Sequence, residues 1–273
     1  MASLRKKLMP YFSHDHGHCY YEILGGGKPL LLIAGLASDV QSWVSIKKIL
    51  SKHFLVILFD NRGVGRSTLN CQNLTINQMA IDAAALLAFL RIDKAHVLGH
   101  SMGGMIALQM AVRFPERIDR LILAASTTVL NQRQKYQLHD WAALLEAKTD
   151  MELWFRNLFY WLYSDQFFEN QSLLTAYIIG ALSYPYPIKM ETFKAQVEAI
   201  IAFNGTPFLD EVRQKTLVLR ADNDRLFSDS AATCALADIP GCSVASVKNA
   251  GHSLHIEQPS VFSKIVSDFL ESQ

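Results

Sequence analysis

Cysteine, net charge and long apolar runs are all scarce in this chain of 273 residues. The four cysteines, Cys19, Cys71, Cys234 and Cys242, show neither zinc-type pairing nor the dense spacing of a disulfide framework. Lysine and arginine (26) nearly balance aspartate and glutamate (25), so no charge excess favours nucleic acid or an anionic membrane. No window approaches the ~18 uninterrupted apolar residues of a membrane span. We therefore predict a soluble protein with free thiols.

The composition and the first residues indicate a folded chain without a secretory signal. Apolar residues make up 50% of the chain and charged residues 19%, which is globular and excludes extended disorder. A basic run at residues 5–7 is followed by only two apolar residues before Pro10, too few for the apolar region of a signal peptide. We expect a cytoplasmic protein, long enough for one large domain or a core domain with an insertion.

Short β-type runs alternate with helical patterns over much of the chain, which is typical of a mainly parallel sheet covered on both faces. The predicted strands are residues 19–24, 30–34, 54–59, 95–98, 121–125, 216–220 and 243–247. The predicted helices are residues 75–90, 105–113 and 259–270. Three consecutive glycines at residues 25–27 predict a hairpin between the first two strands. Thr75 and Gln78 fit a capping box at the start of the first helix.

Between residues 129 and 210 the β-type runs give way to an aromatic-rich helical pattern. We predict a core domain of residues 1–128 and 211–273, and a helical cap of residues 129–210 over the site. A Tyr-Pro-Tyr-Pro segment at residues 184–187 divides the cap. Most of its aromatic side chains are expected to pack the cap against the core. Candidates for a substrate pocket are Trp141, Trp154, Phe155, Phe159 and Trp161.

A G-x-S-x-G pentapeptide lies at residues 99–103, between the predicted strand 95–98 and the predicted helix 105–113. In that setting the pattern predicts a nucleophile elbow, the sharp turn that exposes a serine hydroxyl at the top of a sheet. Its two glycines fit, because side chains there would crowd the strained turn. The helix N-terminus supplies free N–H groups where an oxyanion would form. Ser101 is therefore a candidate nucleophile.

A serine nucleophile needs a base within hydrogen-bond reach and a carboxylate that orients the base. In chains with this elbow the expected order is Ser, Asp or Glu, then His. The predicted strand 216–220 runs into a polar loop that holds Asp222 and Asp224. His252 follows the last predicted strand in an Asn-Ala-Gly-His segment. The order Ser101, Asp224, His252 is thus present.

These segments together resemble the α/β-hydrolase superfamily over nearly the whole chain. Besides the elbow, the resemblance rests on Asp-Asn-Arg-Gly-Val-Gly-Arg-Ser at residues 60–67, Phe-Pro-Glu-Arg at 114–117, Gly-His at 251–252 and Glu-Gln-Pro at 257–259. The chain is most similar to the Ser-His-Asp esterase, lactonase and C–C hydrolase group that includes 3-oxoadipate enol-lactonases. This resemblance implies an α/β-hydrolase fold, with a mainly parallel eight-stranded sheet, helices on both faces and a helical cap inserted before the last strands.

The resemblance also separates neighbouring candidates. In the family the acid stands three residues after the small residue that ends its strand, which favours Asp224 and leaves Asp222 as the alternative. The family's glycine precedes His252, so His255 is expected to line or flank the site. Glu257 is expected to anchor the final helix.

Oxyanion donors implied by the resemblance are the backbone N–H groups of Leu36 and Met102. The chain departs from the family at three points: Ala34 replaces a histidine of the oxyanion loop, Val64 replaces another histidine, and residues 226–228 lack the proline found after the acid. None of these departures removes a member of the triad. They affect loop geometry.

The leading hypothesis is hydrolysis of a carboxylic ester, lactone or enol-lactone through an acyl-enzyme on Ser101. C–C bond hydrolysis, thioester hydrolysis and perhydrolysis use the same three residues and stay open. A non-catalytic ligand-binding protein is the alternative of another class. Haloalkane dehalogenases and epoxide hydrolases carry a carboxylate where this chain has Ser101. We expect a small-molecule substrate with an apolar or aromatic acyl group, no cofactor, no nucleic-acid or membrane partner, and a monomer or homodimer.

Two weaker signals are expected to be structural. The first is a cluster that could suggest a metal site: His14, Asp15, His16, His18 and Cys19. Its spacing fits no standard zinc motif, and it coincides with the family's opening hairpin, so no metal is expected. The second is the Asp-Asn-Arg turn at residues 60–62, which in the family supports the oxyanion loop.

Overall fold

The computed structural model describes residues 10–227 and 231–272. The basic run at residues 5–7 and Ser228 lie outside these ranges. The strands of the described residues are β1 (Tyr11–His14), β2 (Gly17–Gly25), β3 (Lys28–Ile33), β4 (Phe54–Phe59), β5 (Ala95–His100), β6 (Ile118–Ala124), β7 (Lys215–Ala221) and β8 (Ser243–Val247). The helices are α1 (Lys47–Leu50), α2 (Ile76–Phe89), α3 (Met102–Arg113), α4 (Gln132–Glu146), α5 (Met151–Leu162), α6 (Asp165–Glu169), α7 (Gln171–Leu182), α8 (Met190–Ala202), α9 (Ala231–Ala235), α10 (Leu254–Glu257) and α11 (Pro259–Glu271).

One eight-stranded sheet organises the chain, in the order β1-β2-β4-β3-β5-β6-β7-β8. Pairing is antiparallel from β1 to β4 and parallel from β4 to β8. The predicted mainly parallel sheet is confirmed, and all seven predicted strands lie on strands of this sheet. Within the two described ranges, no helix is long and apolar enough to cross a membrane.

The predicted hairpin between β2 and β3 is wrong, because β4 lies between them. Val56 of β4 pairs with Leu24 of β2 on one side and with Leu30 of β3 on the other. The glycine turn carries the chain over the start of β4: a Cβ on Gly27, which has a φ of +95°, would lie 2.8 Å from the His53 carbonyl oxygen. The opening hairpin joins β1 to β2 instead.

Alternate side chains of β3 enter two separate cores. Leu31 and Ile33 pack on the face covered by α2 and α3, whereas Leu30 and Leu32 pack on the face covered by α1 and α11. Both sets are fully buried. A parallel sheet covered on both faces produces such continuous apolar strands, which is why they were readable in the sequence.

Helix α2 begins with half of the predicted capping box. The Thr75 hydroxyl accepts a hydrogen bond from the Gln78 N–H at 3.0 Å. The Gln78 side chain turns away and donates to the Asp82 carboxylate at 3.2 Å. The same Asp82 carboxylate also accepts a hydrogen bond from Arg62.

Helices α4 to α8, followed by a short 3-10 helix at Thr206–Glu211, lie between β6 and β7 in the chain. Helix α7 ends before the Tyr-Pro-Tyr-Pro segment and α8 begins after it, as predicted. Val129 and Asn204 form an isolated β-bridge where the chain leaves and returns. The division into a core and a cap at residues 129–210 stays a prediction. Asn204 of the bridge lies a few residues before the predicted C-terminal limit of the cap.

Candidate active site

Ser101 occupies the turn between β5 and α3 with a φ of +57° and a ψ of −121°. Such a backbone conformation is strained for a residue with a side chain. Neighbouring groups hold it: the Ser101 N–H donates to the Ala124 carbonyl and the Ser126 hydroxyl donates to the Ser101 carbonyl, both at 2.9 Å. The turn therefore places Ser101 at the carboxyl end of β5, where it is buried and lines a cavity.

The two glycines of the pentapeptide are required by close backbone approach. A Cβ on Gly99 would lie 2.0 Å from the Gly103 carbonyl oxygen. A Cβ on Gly103 would lie 2.0 Å from the carbonyl oxygen of Ile33, on the adjacent strand β3. Both distances are far inside van der Waals contact, so only glycine fits at either position.

His252 and Asp224 lie beside Ser101 in a linear arrangement. The His252 Nε2 atom is 2.8 Å from the Ser101 Oγ atom, and the His252 Nδ1 atom is 2.9 Å from Asp224 Oδ2. The other carboxylate oxygen, Oδ1, accepts the N–H groups of Leu226 and Phe227 at 2.9 and 2.8 Å. Because Asp224 is fixed by these donors, it can hold the imidazole with Nε2 facing the serine.

Asp222, the alternative acid, points to another part of the molecule. Its Oδ1 atom accepts hydrogen bonds from the Asn223 side chain at 2.9 Å and from the Ala250 N–H at 3.3 Å. It is exposed, whereas Asp224 is buried.

Two further histidines lie behind His252. The His100 Nε2–H group donates to the His252 carbonyl oxygen at 2.8 Å. The His255 ring packs 4.5 Å from the ring of His100 and 4.8 Å from that of Trp43. Burial lowers the pKa of His255 to about 3 and holds the pKa of His100 well below its usual value. Both rings are therefore neutral, and His255 flanks the site as expected.

The backbone of Gly35 and Leu36 runs past the elbow. A Cβ on Gly35 would lie 3.1 Å from the Ser101 Cβ atom, tighter than ordinary van der Waals contact, so glycine favours this close approach of the loop. Leu36 and Met102 both line the cavity that Ser101 faces. Met102 is the first residue of α3, where N–H groups have no partner within the helix.

The Asp-Asn-Arg turn supports this loop, as predicted from the resemblance. The Asn61 Nδ2 group donates to the Ala34 carbonyl at 3.1 Å, and Asp60 Oδ1 accepts the Val40 N–H at 3.0 Å. Arg62 binds the Asp82 carboxylate with two nitrogens, at 2.8 and 2.6 Å. Burial raises the pKa of the Asp60 carboxyl to about 6.

A cavity of about 550 Å³ lies over Ser101, and helices α4, α5, α7 and α8 contribute much of its lining. Four of the five predicted pocket residues line it: Trp141, Trp154, Phe155 and Phe159. Trp161 lies outside this lining, and its ring lies 5.3 Å from the Arg133 guanidinium. The residues of α5 that line the cavity are Met151, Trp154, Phe155, Leu158, Phe159 and Leu162. Trp161 follows Trp154 by seven residues and is therefore close to it in helical phase, so phase alone does not separate the two.

The lining of this cavity is mostly apolar. Among its described residues Asp39 is the only acid, and no lysine or arginine is present. The Tyr184 hydroxyl, between α7 and α8, donates to Asp39 Oδ2. Next to it the Arg66 guanidinium lies 4.4 Å from the ring of Tyr20 on β2 and 4.4 Å from the ring of Tyr186 between α7 and α8.

The Glu257 carboxylate does not bond to the final helix, which it was expected to anchor, but links Ser164, between α5 and α6, to the His252 loop. Its carboxylate accepts the Ser164 hydroxyl at 2.5 Å, the Ser164 N–H at 3.1 Å and the Gly251 N–H at 2.8 Å. Burial raises the pKa of Glu257, and these donors oppose the rise.

Two residues of the N-terminal cluster bond to side chains elsewhere in the core. His14 Nε2 lies 3.1 Å from Asp82 Oδ1, and Asp15 Oδ2 lies 2.7 Å from the Arg62 guanidinium. No group of three or more metal-ligating side chains is found within residues 10–227 and 231–272.

Comparisons with known proteins agree with this architecture. A family model described as "alpha/beta hydrolase fold" matches residues 28–259. The chain therefore belongs to the α/β-hydrolase fold family, which confirms the resemblance seen in the sequence.

Individual relatives cover almost the whole chain. The protein named "Putative carbamate hydrolase RutD" from Azorhizobium caulinodans is 28% identical over 271 residues, covering 96% of this chain and 98% of its own. The structure of the enol-lactonase from Burkholderia xenovorans LB400 superimposes with a TM-score of 0.85 at 26% identity, covering 96% of this chain and 99% of its own. A thermophilic esterase from Thermogutta terrifontis gives a TM-score of 0.81 at 25% identity, with 93% of each chain covered.

Proposed function

We propose that this chain is a serine hydrolase that cleaves a neutral carboxylic ester or lactone through an acyl-enzyme on Ser101. The observation that carries this proposal is the hydrogen-bonded line from Ser101 Oγ through His252 to Asp224, at 2.8 and 2.9 Å. The strained backbone of Ser101 and membership of the α/β-hydrolase fold family support it.

In the proposed reaction, Ser101 Oγ attacks the carbonyl carbon while His252 Nε2 takes the hydroxyl proton. Asp224 stabilises the imidazolium and keeps its tautomer. The N–H groups of Leu36 and Met102 are the proposed donors to the oxyanion, and losing one such donor typically costs about 3 kcal/mol. The imidazolium then gives its proton to the leaving alkoxide, which in a lactone stays attached to the acyl group. Water activated by His252 attacks the acyl-enzyme and releases the acid.

The cavity favours a neutral, apolar acyl group. Its volume of about 550 Å³ suits a small molecule. A carboxylate on the acyl group would be desolvated against aromatic side chains such as Trp141 and Phe155, with no lysine or arginine among the described lining residues to pair with it. We therefore favour a neutral ester or lactone over an enol-lactone that bears a free carboxylate.

The first test is covalent labelling with a fluorophosphonate, read by mass spectrometry. We expect one adduct, on Ser101, in the wild-type protein. Labelling is expected to disappear in Ser101→Ala and to slow strongly in His252→Ala. Neutral p-nitrophenyl esters should be hydrolysed, and Ser101→Ala should lower kcat by roughly 10⁶-fold if the three residues act as a unit. A folded wild-type protein that neither reacts nor turns over esters would refute the proposal and favour a ligand-binding role.

A second candidate is carbamate hydrolysis, which the similarity to RutD over 96% of this chain favours. Ester and carbamate substrates can be separated by their acyl-enzymes. An esterase is expected to be carbamoylated on Ser101 and then to stall, because a carbamoyl-serine resists attack by water. Sustained turnover of a neutral carbamate at a rate near that of the matching ester would replace the ester proposal with this one.

A further inference from the structure

Gln196 links the cap to the loop that carries a proposed oxyanion donor. It lies on α8 and is fully buried, and its Oε1 atom accepts the N–H of Ala37 at 2.9 Å. Ala37 directly follows Leu36 and has a φ of +59°, in the left-handed region that alanine rarely adopts. The cap thus holds a strained residue of this loop by a single side chain.

The peptide groups around Leu36 are fixed from both sides. The Gly35 carbonyl accepts the Ser38 N–H at 3.2 Å, which orients the peptide group that contains the Leu36 N–H. The Leu36 carbonyl accepts the Ser38 hydroxyl at 3.2 Å, and the N–H of that same peptide group is the one that donates to Gln196. Without Gln196, the Ala37 N–H would be buried without an acceptor, and the loop could relieve this by rotating.

The other end of the Gln196 amide, its Nε2 group, is buried and has no hydrogen-bond partner within the described residues. A buried amide with an unpaired donor is unfavourable, and an apolar side chain of similar size would avoid that cost. The contact that this glutamine provides and an apolar residue cannot is the acceptor for Ala37.

We propose that Gln196 is a positioning residue through which the cap sets the orientation of the Leu36 N–H toward the oxyanion. This inference rests on the proposed function of Ser101. It implies that a helix of the cap takes part in transition-state stabilisation without touching the reacting atoms. Because the oxyanion exists only in the transition state, losing the contact should lower kcat and leave KM nearly unchanged.

The test compares Gln196→Met, which keeps the length but has no oxygen acceptor, with Gln196→Glu, which keeps one. Each is assayed on a p-nitrophenyl ester and on its thiono analogue, whose sulfur accepts hydrogen bonds weakly. Removing one oxyanion donor costs roughly 10²–10³ in kcat, so a misplaced donor should cost about tenfold to hundredfold on the oxygen ester. The thiono ester should lose less, and Gln196→Glu should recover part of the loss. Val197→Ala is the matched control, since Val197 is buried on the same helix but lies outside the cavity lining.

Hydrogen exchange of residues 35–38 provides a readout that does not depend on activity. We expect faster exchange of the Ala37 amide in Gln196→Met and wild-type protection in Val197→Ala. Unchanged exchange, or equal losses on the oxygen and thiono esters, would overturn the inference. A wild-type protein that does not react at Ser101 would instead overturn the proposed function, and the exchange result would still decide whether Gln196 holds the loop.

Discussion

Glu257 and Ser164 connect the segment between α5 and α6 to the loop that carries His252. The Glu257 carboxylate accepts both the hydroxyl and the N–H of Ser164, at 2.5 and 3.1 Å, and also the N–H of Gly251 at 2.8 Å. One side chain therefore fixes the residue before the proposed base and the segment that joins α5 to α6.

Removing this carboxylate should loosen both segments. We expect Glu257→Ala to lower the free energy of unfolding by about 2 kcal/mol, because three donors lose a charged acceptor. Ester turnover should fall as well, since Gly251 positions His252. Glu211→Ala, at an exposed position, is the control and should change stability by less than about 0.5 kcal/mol. Urea denaturation of both variants measures the difference, and equal stabilities would contradict the linking role.

The elbow glycines should be far less tolerant than a glycine in open space. A Cβ on Gly103 would lie 2.0 Å from the Ile33 carbonyl oxygen, whereas a Cβ on Gly26 would meet nothing within 4 Å. We expect Gly103→Ala to destabilise the protein by about 3 kcal/mol or more and to abolish labelling of Ser101. Gly26→Ala should stay within about 0.5 kcal/mol of the wild type. Thermal unfolding of the pair is the measurement.

The two neighbouring aspartates should differ sharply in kinetics. Asp224→Asn is expected to lower kcat by roughly 10⁴-fold, because an amide no longer holds the required imidazole tautomer. Asp222→Asn should keep kcat within a few-fold, since the Asp222 side chain bonds only to Asn223 and Ala250 among the described residues. Steady-state kinetics on one neutral ester decides this, and a large loss in Asp222→Asn would reverse the assignment.

Two aromatic residues of α5 provide a matched test of the cavity. Phe155 and Trp161 are both half-buried, but only Phe155 lines the cavity over Ser101. Phe155→Ala should shift kcat/KM about tenfold toward esters with longer acyl chains, in line with the value of a few methylene groups in an apolar pocket. Trp161→Ala should leave the chain-length preference unchanged. A shift in both variants would mean that the whole helix had moved.

Asp60 predicts a pH-dependent contribution to stability. Burial raises its pKa to about 6, whereas an unfolded aspartate titrates near about 3.9. The folded state therefore keeps this proton to higher pH, so the contribution is present below about pH 4 and is lost as the pH rises through 6. The stability of the wild type relative to Asp60→Asn should accordingly fall between pH 4.5 and 7.5. Urea titrations at both pH values test this, and a constant difference would contradict it.

Elements with a local signal could be predicted from the sequence. The apolar run of β4 and the glycines at residues 99 and 103 each reflect forces that act on neighbouring residues, and the structure places both as expected. The position of Trp161 had no such local signal, because Trp161 follows Trp154, which lines the cavity, by seven residues and is close to it in helical phase.

Long-range pairings had no such signal. Gln196 lies 159 residues from Ala37 in the chain, and Glu257 lies 93 residues from Ser164. Neither a buried glutamine on a helix nor a glutamate two residues before a proline lies in a sequence pattern that predicts its partner. The insertion of β4 between β2 and β3 is of the same kind, because strand pairing depends on the path of the whole sheet.

The bridge between Val129 and Asn204 brings together the two points where the chain enters and leaves helices α4 to α8. Gly205 N–H also donates to the Thr128 carbonyl at 2.8 Å, which closes the same junction. An insert of different length could be transplanted at this junction while β6 and β7 keep their register. In such a chimera the new insert would have to supply two groups: an acceptor for the Ala37 N–H and a donor for the Glu257 carboxylate. We expect such an exchange to alter substrate range, and we expect catalysis only from inserts that supply both groups.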